Sequence, residues 1–232
     1  MKIQLSILIL FLLFKNGFSQ DSIVKNEDFT KIRISANAGM SFMYEKSSQN
    51  IYFFFLNYEE EIKSGFINDF GFDFFISQNV AIGININSFN STSKAFGEIF
   101  VFQDSSTFYT DCSEVFKINY FAPTITRRFF DKNGKNQYFL KLGVGKFFVD
   151  NNFKYGANDV SNKGNNFGVD LGGGIDIIIS KHFSLGFLVT SNFGFISEYE
   201  KYIFEDYYET IQLKESENLS RINFAIGLRY NN

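Results

Sequence analysis

The chain has 232 residues, 22 basic and 25 acidic side chains and a formal net charge of −3, so it lacks the strongly basic surface that nucleic-acid binding requires. Its 33 phenylalanines, its single proline and its lack of tryptophan favour β-strands, because aromatic residues are enriched in strands and proline interrupts them. The only cysteine, Cys112, cannot form an internal disulfide, and we interpret it as an incidental residue.

The first twenty residues have the features of an export signal. Lys2 precedes an apolar run over residues 7–14, and the segment ends in G-F-S-Q. The run is shorter than the ~20 apolar residues of a membrane-spanning helix, so we predict a cleaved signal peptide at 1–20 and a single mature domain at 21–232. No later stretch reaches ~18 consecutive apolar residues, and strands must therefore make any membrane crossing.

Eight segments after the signal alternate between apolar and polar residues. A period of two is the pattern of a β-strand with one apolar and one polar face. In chain order, the predicted strands are residues 31–45, 65–77, 80–87, 115–130, 137–148, 167–179, 183–195 and 221–230.

The connections between these strands alternate in length. Short polar turns follow the second, fourth and sixth strands at residues 77–79, 131–136 and 180–182, and the second of them contains the turn-forming pair Asn133 and Gly134. Long segments follow the other strands. Short turns at one end and long loops at the other are typical of bacterial outer-membrane barrels, with both termini on the periplasmic side.

A soluble barrel would also have strands with one apolar and one polar face. Here the apolar faces carry more Phe, Ile and Leu volume than an eight-stranded barrel can enclose, and most glycines fall on the polar faces. We therefore predict an all-β fold, a transmembrane antiparallel up-and-down β-barrel of eight strands, with its polar face inside. The β-prone runs at 51–56 and 99–102 either continue their strands outward or add a hairpin that would make ten strands.

A polar interior would gather ten charged side chains in the lumen. Because an unpaired buried charge is costly, we expect them to pair and to plug the lumen; a gated ion path is the alternative. On this facing, Ile84→Arg should cost about 2 to 4 kcal/mol, whereas Asn85→Ser should cost little. The ten residues are Arg33, Asp69, Asp73, Lys117, Arg127, Lys141, Asp170, Asp176, Arg221 and Arg229.

The sequence gives little sign of catalytic chemistry. It contains none of the common phosphate-binding, zinc-protease or serine-nucleophile motifs, and its only histidine, His182, falls in a predicted short turn. We predict a protein that is not an enzyme and that uses no cofactor and no metal.

The segment at 197–218 combines acidic residues with tyrosines and is predicted to be a long outward loop. Such a loop can bind a basic envelope protein or a cation. A solvated loop whose tyrosines lie at the lipid headgroups is the plainer interpretation.

Several short motifs occur in a recognisable order. They are the signal ending G-F-S-Q, Pro123 followed by Arg127 and Arg128, L-G-V-G-K-F-F in the fifth strand, G-V-D-L-G-G-G-I-D in the sixth, and the closing G-L-R-Y. In these the chain resembles the eight-stranded outer-membrane β-barrel family of the Bacteroidota, described as porin-family or PorT-like proteins, and more loosely the OmpX and OmpA barrels.

The resemblance implies the outer membrane of a Gram-negative cell, with outer-membrane lipids and the outer-membrane assembly machinery as partners. It also implies that Gly227, Leu228 and Tyr230 form the assembly signal, although this chain adds Asn231 and Asn232 after the aromatic residue. Most members of the family have no defined activity. We therefore expect a non-enzymatic barrel that serves envelope structure or surface interaction through its long loops. There are two alternatives: a narrow channel or transport accessory, and a subunit of a larger secretion or gliding complex.

Overall fold

The computed structural model of the chain describes residues 29–44, 62–101, 106–131, 136–156, 158–203 and 207–232. The predicted signal peptide and the run at 51–56 lie outside the described residues. Within the described part, no helix has the length and apolar character needed to cross a membrane.

Nearly all described residues belong to antiparallel β-strands. The strands are β1 (Ile32–Met43), β2 (Ser64–Phe75), β3 (Val80–Val101), β4 (Ser106–Phe130), β5 (Asn136–Tyr155), β6 (Asn158–Ile178), β7 (Phe183–Ile203), β8 (Tyr207–Asn218) and β9 (Arg221–Asn231).

The sheet closes on itself. Each strand from β1 to β7 pairs with the next along the chain, and β9 pairs with both β1 and β7. β8 and β9 are two parts of one strand interrupted at Leu219 and Ser220, since both pair with β7. The barrel therefore has eight strands, which confirms the predicted fold class against the ten-stranded alternative.

One end of the barrel, called here the turn end, carries short connections. Residues 76–79 join β2 to β3, and residues 179–182 join β6 to β7. The chain terminus also lies here, because the N–H of Asn232 donates to the carbonyl of Ile32 at 2.9 Å.

The opposite end, called here the hairpin end, extends further than the sequence predicted. β3 and β4 stay paired to Val101 and Ser106, so the run at 99–101 continues its strand outward. β5 and β6 likewise stay paired to Tyr155, and β7 and β8 to Ile203. The prediction of a loop at 197–218 is wrong, since its described residues lie mostly in β7 and β8.

Apolar side chains cover the outside of the barrel in a continuous belt, the apolar band. Ile84 is 44% exposed, Phe70 54% and Leu228 58%, which is the reverse of a water-soluble protein. Aromatic residues mark the edge of the band near the turn end, as is common where a membrane protein meets lipid headgroups. They include Phe74, Phe129, Phe130, Tyr138, Phe183 and Tyr230.

The interior has two parts. Towards the turn end it is filled by charged and amide side chains that are almost completely buried. Towards the hairpin end it is filled by an apolar cluster, the apolar plug, formed by Met43, Ile62, Phe89, Phe116, Ile118, Tyr120, Ala122, Phe147, Val149, Ile196, Tyr199 and Leu219.

Candidate functional site

The charged interior begins near the turn end with four side chains, called here the Asp176 cluster. Arg33 donates from Nη1 to Asp73 at 2.9 Å, and from Nε and Nη2 to Asp176 at 3.1 and 2.7 Å. The Nε of Arg229 lies 3.2 Å from the other oxygen of Asp176, without the alignment of a hydrogen bond. No member is more than 4% exposed, so the cluster joins β1, β2, β6 and β9 across the lumen.

Lys141 occupies the next layer of the interior. Its Nζ lies 3.7 Å from Asp69 and 3.6 Å from Asp170, and it donates to the side-chain oxygen of Asn85. Asn85 in turn donates to Asp69 at 2.6 Å, and Asn192 donates to Asp170 at 3.0 Å. One ammonium thus connects carboxylates from opposite sides of the barrel.

Arg221 lies where the charged interior meets the apolar plug. It is fully buried and donates to Asn87 at 2.8 Å. Its guanidinium lies 5.6 Å from the ring centroid of Phe89 and 5.4 Å from that of Phe147. The aromatic faces contribute cation–π attraction, so this arginine is held by two rings as well as by Asn87.

The prediction for Lys117 is wrong. Lys117 is exposed, whereas its neighbours Phe116 and Ile118 are buried in the apolar plug. The sequence pattern assigned the apolar side of this strand to lipid. Beyond the apolar band the outside meets water, and there the apolar side faces inward instead.

The prediction for Arg127 is also wrong in its facing, because the register pairs Arg127 with the outward Leu140 and Arg128 with the inward Phe139. Arg127 is nevertheless only 6% exposed. Arg127 is opposite Val80 in the register and its guanidinium lies 5.1 Å from the ring of Phe129 on the same face. Arg128 is 1% exposed, lies 3.5 Å above the ring of Phe75 and donates to the carbonyls of residues 78 and 30 at 2.5 and 3.1 Å.

The eight other predicted lumen side chains lie inside the barrel. The cavity among Arg33, Asp73, Lys141 and Arg229 leaves about 10 Å³ for the centres of water molecules, which is room for about one water. In the described part of the chain, the apolar plug lies next along the lumen, towards the hairpin end. The described ion pairs hold these charged side chains in place across the lumen.

Side-chain hydrogen bonds connect β7 and β8 within their hairpin. The hydroxyl of Tyr199 donates to Glu217 at 2.7 Å, and both side chains are buried. Burial first, and then the Glu217 carboxylate, raise the pKa of Tyr199 well above its usual value, so the phenol stays protonated and can donate. Gln212 donates to Glu198 at 2.6 Å on the outer surface, where Glu209 is also exposed.

His182 lies in the turn between β6 and β7. Its Nδ1 is 3.0 Å from the carbonyl oxygen of Asn231, and its ring stacks on Tyr230 at 6.0 Å. The histidine is therefore at the turn end, across the barrel from the hairpins. Among the residues with described positions, no group of three or more His, Cys, Asp or Glu is arranged to hold a metal ion.

Cys112 is buried in β4, where its thiol lies 3.9 Å from the carbonyl oxygen of Thr110. Burial and the neighbouring Asp111 raise the pKa of the thiol. A protonated, buried thiol is a poor nucleophile.

Comparison with known proteins identifies the fold. A major outer membrane protein of Thermus thermophilus aligns with a TM-score of 0.55 at 12% identity, over 87% of this chain and 99% of that one. The outer membrane protease OmpT of Escherichia coli aligns at 0.51 and 6% identity over 92% and 100%. Neisserial surface protein A aligns at 0.50 and 12% identity over 87% and 97%.

These likenesses show that the chain has the fold of bacterial outer-membrane β-barrels. No protein-family model and no curated protein matches the chain. The narrower resemblance to the Bacteroidota family stays a prediction.

Proposed function

We propose that this chain is a non-enzymatic integral protein of the bacterial outer membrane, with a plugged lumen and with outward hairpins that act in envelope structure or surface interaction. The observation that carries the proposal is the inverted distribution of side chains. Arg33, Asp176 and Arg229 are almost fully buried, whereas Phe70 and Leu228 are more than half exposed. A barrel with this distribution is stable only where hydrocarbon surrounds it.

The location is tested by expressing the full chain in a Gram-negative host. We expect it in the outer-membrane fraction and as a band whose mobility on gels changes after boiling. External protease should cut the hairpins and leave the barrel protected. Recovery in the soluble periplasmic fraction would refute the proposal.

The packing of the lumen supports a plugged barrel over a narrow channel. Lys141 and the Asp176 cluster leave space for about one water molecule. Purified protein in planar lipid bilayers should show no steady single-channel current. A stable conductance step that disappears in a Lys141→Met variant would favour the channel alternative.

The hairpins support the interaction role. The β3–β4 hairpin continues from Asn90 to Val101, which at ~3.3 Å per residue adds roughly 35 Å of paired strand beyond the apolar band. This role includes contact with another envelope protein, as in a secretion or gliding complex. It also includes contact through the acidic and aromatic segment at 197–218.

A shortened chain tests that role without disturbing the barrel. Lys94 is opposite Ser113 in the β3–β4 register, so residues 95–112 can be replaced by an Asn-Gly turn that keeps the pairing below. Cross-linking in native membranes should capture envelope proteins with the full chain and fewer with the shortened one. Identical captures from both would argue against this hairpin as the interaction surface.

The last strand supports a role in assembly. Leu228 and Tyr230 face outward, and Gly227 lies against β1, because a side chain there would meet the carbonyl oxygen of Ala36 at 2.0 Å. β9 thus closes the barrel. As part of the proposal, Gly227, Leu228 and Tyr230 are the residues that the assembly machinery reads.

A further inference from the structure

An apolar groove of about 670 Å³ crosses the apolar band on the outside of β4, which is within the usual size of a ligand pocket. Pro123 lies at its centre, opposite Ile84 of β3. Its walls also include Phe72 of β2, Ile125 of β4 and Val144 of β5.

The groove follows from the proline. The pairing of β4 with β5 stops after Phe121 opposite Lys146 and resumes at Thr124 opposite Gly143, since proline has no N–H to donate to the ladder. The compact proline ring is flanked along β4 by the larger side chains of Phe121 and Ile125, both exposed. A depression therefore forms between larger apolar side chains.

A lysine lies directly beyond this groove on the same face. Lys146 follows Val144 by two residues in β5, towards the hairpin end, and is opposite Phe121 and Phe167 in the register. Its ammonium lies 5.5 Å from the ring of Phe148. Within the described residues, no carboxylate is within ion-pair distance of it.

A cation on the lipid-facing side is costly unless its charge reaches the headgroups. The flexible lysine stem allows the ammonium to do so. At the hairpin end of the band, which faces the outer leaflet in this fold, the group it meets there is a lipid headgroup. Apolar walls and an unpaired cation beyond them match a lipid with acyl chains and a headgroup phosphate.

We propose that the Pro123 groove and Lys146 together form a binding site for a phosphorylated lipid of the outer leaflet. One acyl chain lies along the groove, and the phosphate accepts hydrogen bonds from the Lys146 ammonium. The site rests on the proposed outer-membrane location and adds a specific lipid to it.

Native mass spectrometry of the purified full chain, titrated with diphosphoryl lipid A, tests the site. Lys146→Gln should weaken binding about tenfold, since a charge-assisted hydrogen bond is lost. Val144→Phe should weaken it by a similar factor, because the larger ring fills the groove. The matched controls are Lys181→Gln, an exposed lysine at the turn end, and Val189→Phe, an outward valine of β7, and both should bind as the unchanged chain does.

Binding by Lys146→Gln equal to that of the unchanged chain would overturn the proposal. So would equal affinity of the unchanged chain for dioleoylphosphatidylcholine, which carries a balancing cation on its headgroup. The boiling-dependent gel shift is measured on every variant, so that a folded barrel without lipid preference refutes this site alone. A chain that never inserts into membranes refutes the proposed function instead.

Discussion

Replacing Asp176 with asparagine removes the carboxylate that lies between two buried arginines. In the native chain, Asp176 accepts two hydrogen bonds from Arg33 and lies 3.2 Å from Arg229. Asparagine keeps the shape and one acceptor oxygen, so the change removes charge with little change in volume. The folded barrel should become less stable, because both guanidinium groups stay buried and lose the carboxylate that balances their charge.

The size of the effect follows from what each arginine retains. Arg33 keeps its bond to Asp73 at 2.9 Å. Arg229 keeps no carboxylate within ion-pair distance in the part of the chain that the structure describes. Removing one partner of a buried ion pair costs about 3 to 5 kcal/mol, and since Arg33 stays partly paired we expect about 3 kcal/mol for Asp176→Asn.

The assay is urea unfolding of the barrel in lipid vesicles, followed by the boiling-dependent gel shift and by circular dichroism. Asp159→Asn is the matched control. Asp159 pairs with Lys154 at 2.9 Å, but both side chains are more than 60% exposed. Such an exposed pair contributes about 0 to 1 kcal/mol, so the control should unfold close to the unchanged chain.

The two substitutions share their chemistry and differ in the burial of the pair. If Asp176→Asn and Asp159→Asn lower the free energy of unfolding by the same amount, the charged interior is not packed as described. Water would then reach Asp176 and solvate both arginines.

Three further changes test other parts of the barrel. Ile84→Arg should lower the free energy of unfolding in vesicles by about 2 to 4 kcal/mol, because residue 84 faces lipid. Asn85→Ser should lower it by about 1 to 3 kcal/mol, because the change breaks buried hydrogen bonds. If either variant were as stable as the native chain, the facing of that residue would be contradicted. Tyr199→Phe should lower stability at neutral pH by about 1 to 3 kcal/mol, since Glu217 loses a buried donor. The raised pKa of Tyr199 means that its contribution is complete below the unfolded-state pKa and is lost at higher, alkaline pH, so the native and variant curves should converge there; parallel curves would refute this. Gly227→Val should prevent closure of the barrel, because its side chain would meet a backbone carbonyl of β1, and an unaltered gel shift would contradict that.

The prediction of little cost for Asn85→Ser is thus revised. The sequence shows that Asn85 lies on the polar face, and nothing in it shows which groups face it. In the structure Asn85 donates to Asp69 and accepts from Lys141. These contacts join distant strands across the lumen, and alternation along one strand carries no information about them.

The eight barrel strands could be predicted because lipid and a packed interior impose opposite demands on alternate residues. Within the apolar band the prediction of facing is correct on β3, with Ile84 outside and Asn85 inside. It is wrong on β4, where the register places Arg127 on the outer side. The strand ends at the hairpin end could not be predicted in the same way. There the apolar and polar alternation of the sequence weakens, although the pairing continues to Val101 and Ile203.

The apolar plug escaped prediction for a related reason. Phe116, Ile118 and Tyr120 alternate with polar residues as lipid-facing residues do. Their direction depends on whether they lie inside or beyond the membrane, which the local pattern does not state. Lys117 and Asn119 indicate that this part of β4 lies beyond the membrane, since these outward residues are too polar for contact with hydrocarbon.

The chain contains no tryptophan, so a single introduced tryptophan reports the surroundings of one position. Phe72→Trp lies in the apolar band, where the native ring is 44% exposed, and Phe147→Trp lies in the apolar plug, where the native ring is fully buried. In vesicles, with the gel shift confirming folding, brominated lipids should quench Phe72→Trp strongly, and neither brominated lipids nor aqueous acrylamide should quench Phe147→Trp. Strong quenching of Phe147→Trp by acrylamide would show an open, water-filled lumen, and equal quenching of both variants by brominated lipids would contradict the barrel itself.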